Sequence, residues 1–86
     1  MASYQIEWRK STKRDLKAIP LHQVERIVSA VIALANDPRP SGCTKLSGSD
    51  FAYRIRIGDY RVIYEIFDNK LLIEIVKAAH RKDIYR

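Results

Sequence analysis

The stretch Tyr53-Arg54-Ile55-Arg56-Ile57-Gly58-Asp59-Tyr60-Arg61-Val62-Ile63-Tyr64 alternates bulky apolar and cationic residues on both sides of one glycine. A period of two is the signature of a strand, and Gly58-Asp59 has the composition of a two-residue hairpin loop. That loop sets the register: Ile57 opposes Tyr60, Arg56 opposes Arg61, and Arg54 lies on the same face opposite Ile63. Like charges directly opposed on a sheet cost stability. The simplest explanation is a missing anionic partner, and a phosphate backbone suits a guanidinium fork best.

Working outward, the pattern predicts strands over 52–57, 60–67 and 70–78. Asp68-Asn69 is expected to make the second tight turn, because both residues tolerate positive φ. Upstream, Tyr4-Gln5-Ile6-Glu7-Trp8 reads as a half-buried strand over 4–8. Ser11 is a candidate N-cap for a short helix to about Ile19; Pro20 ends it and suits the first turn of the next. Leu21, Val24, Ile27, Val28, Val31, Ile32 and Ala35 recur at three- and four-residue steps, a helical stripe. Asn36 can close that helix, and Asp37-Pro38-Arg39-Pro40 stops it. Residues 37–50 are expected to be loop, and His80 to Arg86 a short turn or tail.

The predicted order is β-α-α-β-β-β, an α+β domain over 1–86 with both N-terminal helices on one face of a mostly antiparallel sheet. Tyr53, Ile55, Ile57, Tyr60, Val62, Tyr64 and Ile66 should pack under the helices. Parity then leaves Arg54, Arg56, Arg61, Ile63 and Glu65 on an uncovered face.

Length and composition narrow the classes. Eighty-six residues, 47% of them hydrophobic and 30% charged, suit one ordinary globular core. No apolar run approaches the roughly 20 residues that span a bilayer, and the N-terminus has no signal-peptide pattern. Cys43 is alone, so it offers neither an internal disulfide nor a metal-ligand spacing; a cytoplasmic location is the expectation. Sixteen Lys and Arg against ten Asp and Glu leave a formal charge of +6, which favours polyanionic partners.

Each candidate also has a plainer reading. Arg54 and Arg56 could be solvent-facing residues paired with Glu65 or Glu74. His80, beside Arg81 and Lys82, is the histidine placed to move a proton, whereas His22 reads as a surface residue. Tyr85 could pin the tail, stack on a base or reach a phosphate. Trp8 and the remaining tyrosines read as core, and Lys10, Lys13, Arg14 and Lys17 as a solvated helix face. No glycine-rich phosphate loop, metal-ligand cluster or Ser/His/Asp set is visible, so neither cofactor nor metal is expected. Cations, one imidazole and one phenol suit metal-free RNA cleavage, with arginines stabilising the charge gathering on phosphorus.

Three segments, Lys45-Leu46-Ser47-Gly48, residues 53–66 and His80-Arg81-Lys82-Asp83-Ile84-Tyr85-Arg86, resemble toxins of the RelE/ParE superfamily, as does the element order. The resemblance implies a type II toxin–antitoxin system. Its RelE branch cuts mRNA in the ribosomal A site, is blocked by a RelB-like antitoxin and represses its own operator DNA as a complex. By position, Arg54, Arg56, Arg61 and Tyr85 match family site residues, and His80 or Arg81 falls where a further basic residue is expected. Relatives often carry lysine at the positions of Arg54 and Arg56. Arginine does not give up its proton, so the expectation assigns both to phosphate and the proton transfer to His80. The alternatives are a ParE-like gyrase inhibitor without nuclease activity, and an inactive homologue that binds antitoxin and operator.

Overall fold

The computed structural model describes residues 3–85; Met1, Ala2 and Arg86 lie outside the described residues. Its centre is the hairpin of β3 (Ala52–Ile57) and β4 (Tyr60–Phe67), with Arg56 opposite Arg61 and Arg54 opposite Ile63 as the loop requires. Gly58 takes φ +58 while Asp59 does not go positive, the pattern of a type II′ turn. A Cβ on Gly58 would also stand 3.1 Å from the guanidinium of Arg26.

Around the hairpin, β5 (Leu72–His80) pairs antiparallel with β4, and β1 (Gln5–Trp8) pairs parallel with β5. A two-residue strand, β2 (Thr44–Lys45), lies on the outer side of β3. The five-stranded order is β1-β5-β4-β3-β2. α1 (Lys10–Lys17) and α2 (Leu21–Ala33) carry the chain from β1 at one edge of the sheet to β2 at the other, so that the strands returning from β2 end with β5 parallel to β1. Ile27, Val31 and Leu34 meet Ile55, Ile57, Val62, Tyr64, Ile66, Ile73 and Ile75 in one buried cluster. Tyr53, Tyr60 and Trp8 are half-buried at its edge.

Several expectations change. α1 starts at Lys10, and Arg9 rather than Ser11 occupies the cap position, without a side-chain cap. Tertiary bonds position this helix instead: buried Thr12 donates to the Ile75 carbonyl at 2.8 Å. α1 also stops at Lys17, two residues before the expected Ile19. Leu21 and Ile32 belong to the predicted apolar stripe yet are exposed, because the buried line runs through Ile27 and Val31 to Leu34 at the C-cap. The expected 37–50 loop contains β2. The turn after β4 is a 3₁₀ segment, Asp68–Lys70, and the positive φ falls on Leu71 (+49) rather than on Asp68 or Asn69.

The largest departure is in β5. The ladder to β4 shifts between Ile63 and Tyr64, which pair with Lys77 and Ile75, so Val76 is an extra residue. Ile73 and Ile75 face the helices, and unbroken alternation would send Lys77 and Ala79 after them. The bulge turns Lys77 and Ala79 to the opposite face and puts Ala78 and His80 on the helix side. The opposite face is also not bare. The last turns, 81–85, place Tyr85 against Arg54, and Ile84 is buried outside the main cluster.

Candidate nucleic-acid interface

The side of the sheet away from the helices is organised in rows across the strands. Nearest the hairpin tip, Arg56 faces Arg61, and Arg61 faces Ala79. The next row is Arg54, Ile63 and Lys77. Then come Ala52, Glu65, Glu74 and Glu7.

Two of these rows oppose like charges, and the chain treats them differently. Glu65 and Glu74 face each other, and Arg9 bridges both: its Nη2 donates to Glu65 at 2.8 Å and its Nε to Glu74. The Glu74 contact leads the causes that raise the pKa of Arg9. A like-charge pair that serves the fold thus receives a counterion. Among the described residues Arg56 and Arg61 receive none. Arg61 bends back, and its Nη1 donates to the carbonyls of Gly58 (2.9 Å) and Tyr60 (3.0 Å). Among the described residues Arg56 is exposed and has neither an ion pair nor a hydrogen bond. Arg54 donates to the Tyr85 hydroxyl, and its guanidinium lies 6.0 Å from that ring's centre. The pairing of Arg54 or Arg56 with Glu65 or Glu74 therefore does not occur, since Arg9 occupies both carboxylates.

Arg54, Arg56, Arg61 and Tyr85 are brought together. His80 is not. It pairs with Tyr60, whose ring it meets edge-on at 5.6 Å, on the helix side. Its Nδ1 accepts the Lys82 backbone N–H at 3.2 Å, so a neutral ring carries its proton on Nε2 and has no free lone pair there. The imidazole is thus a donor on the wrong side of the sheet for the proton transfer expected of it. Arg81 sits at the hairpin tip, bound through its N–H to the Asp59 carbonyl and through Nε to the Asp59 carboxylate at 3.7 Å. Lys77 was missed by periodicity; the broken alternation of Ile75-Val76-Lys77-Ala78 is the signal that could have found it.

Elsewhere, Arg39 ties the loop before β2 to the turn after β4, donating to Asp68 at 2.8 Å and to the Tyr53 hydroxyl at 3.1 Å. With the Tyr4 hydroxyl it holds the Asp68 carboxyl below its ordinary value, Arg39 being the larger cause. An apolar cleft of about 530 Å³ opens between α2 and β3, with Ala30, Ala33, Ile55 and Ile57 in its walls and Arg56 at its rim. Among the described residues no three His, Cys, Asp or Glu converge as metal ligands, and no helix is long and apolar enough to cross a membrane.

Residues 6–85 match the family described as the ParE toxin of the type II toxin–antitoxin system parDE, and the chain belongs to that family. It is 30% identical to a Methanocaldococcus jannaschii protein designated toxin RelE1, with 96% of each chain covered. It is also 30% identical to toxin RelG of Mycobacterium tuberculosis, covering 96% of this chain and 97% of that one. The RelE–RelB complex of Pyrococcus horikoshii superposes with a TM-score of 0.83 at 29% identity, over 94% of this chain and 98% of its counterpart. The protein is a RelE-like toxin of a toxin–antitoxin system.

Proposed function

We propose that this toxin is a ribosome-dependent endoribonuclease acting on mRNA in the cytoplasm, held inactive by a RelB-like antitoxin. The observation that carries the reading is the contrast between the two like-charge pairs: Arg9 neutralises Glu65 and Glu74, while among the described residues Arg56 and Arg61 have no carboxylate. A phosphate would supply the missing charge.

In this reading Arg56 and Arg61 grip the scissile phosphate, Arg61 with the donors that its two carbonyl contacts leave over. The 2′-hydroxyl attacks phosphorus and passes its proton to solvent water, the bond to the 5′-oxygen breaks, and that oxygen takes a proton from water as it leaves. The products are a 2′,3′-cyclic phosphate and a free 5′-hydroxyl. The guanidiniums stabilise the extra negative charge on the phosphorane. Arg54 and Tyr85 act as one unit beside it, holding a base by stacking or a neighbouring phosphate. RelB is the partner named for the Pyrococcus relative. A similar partner here would find apolar footing in the cleft beside Arg56, and operator DNA would be bound by the pair.

Expression of the wild type and of Arg61→Ala tests this. The wild type is expected to halt translation and leave cuts on translated mRNA, and Arg61→Ala to do neither while still binding its antitoxin. Arrest of replication with DNA damage and intact mRNA would instead establish the gyrase-directed alternative. Undiminished toxicity of Arg61→Ala would refute the catalytic role of the hairpin.

A further inference from the structure

Resting on that reading, we propose that the bound RNA crosses the strands at the hairpin end of the sheet, from Arg56 through Arg61 towards β5, and that Lys77 is its far phosphate contact.

The direction follows from the charge rows. A polyanion running along the strands from Arg54 and Arg56 would meet Glu65, Glu74 and Glu7 in the next row, three carboxylates against the single guanidinium of Arg9. Across them the sheet presents only cations and neutral residues, Arg54, Ile63 and Lys77 in one row and Arg56, Arg61 and Ala79 in the other, with Tyr85 of the last turns lying against Arg54 at one end of the path. From β3 to β5 is about 10 Å, and the two rows are about 7 Å apart. The cationic band is therefore wider across the sheet than along it.

Lys77 is in this band only because of the bulge at Val76. Without the extra residue its ammonium would point towards the apolar core, which a lysine avoids. The bulge does two things at once: it keeps Lys77 on the open face and fixes it opposite Ile63, level with Arg54. Bulges commonly re-aim side chains next to functional sites. Lys70, in the turn beyond the acidic row, lies against Phe67 and outside the proposed path.

The test is binding of a fluorescent oligouridylate, followed by anisotropy between ~50 and ~200 mM salt. Each phosphate contact to a single strand contributes about 0.7 to the slope of log K against log salt. Lys77→Gln is expected to flatten the slope by about that amount and to weaken binding at low salt. Arg61→Gln should do the same, and Lys70→Gln should match the wild type. Thermal melts confirm that each variant is folded. If Arg61→Gln flattens the slope but Lys77→Gln leaves it unchanged, the path is wrong and the nuclease reading stands. If Lys70→Gln flattens it as much as Lys77→Gln, the contact is diffuse and the path is again wrong. If the wild type shows no salt-dependent binding, the path falls, and the nuclease reading is decided separately by the expression of the wild type and Arg61→Ala.

Discussion

Replacing Arg56 by threonine should make this protein more stable and less active. Arg56 directly opposes Arg61 and, among the described residues, has no bond of its own to lose. Relief of a directly opposed like-charge pair is worth about 0.2–1 kcal/mol. Threonine also favours an exposed strand position, on a scale spanning about 1 kcal/mol. Loss of the arginine stem's packing offsets part of this, leaving a net gain of about 0.5 kcal/mol. In a domain of this length 1 kcal/mol moves Tm by about 4–8 °C, so the expected rise is about 2–4 °C. The gain has an ionic origin and should shrink as salt shortens the Debye length from ~10 Å at 0.1 M to ~3 Å at 1 M. Scanning calorimetry at both salt levels measures it, and mRNA cleavage in a programmed ribosome assay should fall by about 10²–10³. A variant less stable than the wild type at low salt, or a gain indifferent to salt, would refute the claim that Arg56 is held against a standing repulsion.

Arg9→Gln should behave in the opposite way, because it leaves Glu65 and Glu74 facing each other without a counterion. A loss of about 1–2 kcal/mol at neutral pH is expected in chemical denaturation, discounted for the partial exposure of all three groups. Leu71→Asn relieves a left-handed conformation that costs a leucine about 1–2 kcal/mol and should raise the denaturation midpoint; an unchanged or lower midpoint would mean that the side chain's contacts outweigh the strain. Asp68 has its folded pKa lowered by Arg39, so its contribution is fully present above the ordinary aspartate value and disappears as pH falls through the folded one. Stability curves of the wild type and Asp68→Asn should therefore converge in acid, and parallel curves would contradict the ion pair. His80→Gln should leave single-turnover cleavage within about twofold of the wild type, since the ring lies across the sheet from the arginines; a loss comparable to that of Arg61→Ala, about 10² or more, would return the proton transfer to His80.

The hairpin was legible because its information is local. Alternation names the strands, Gly58-Asp59 names the turn, and a two-residue loop leaves one register, so the opposition of Arg56 and Arg61 could be stated from the residues alone. The two helices and the core face followed from periodicity in the same way. Other features had no local signal. β2 exists because β3 offers it an edge, and α1 begins at Lys10 because Arg9 and Thr12 are held by distant strands. The Val76 bulge reverses side-chain parity for the rest of β5, which carries Lys77 to the arginines and His80 away from them. Chain neighbours determine which residues form a strand and which share its face. Only packing against the other strands determines whether that alternation continues or skips a residue, and on that single skipped residue depends which side of the sheet the imidazole occupies.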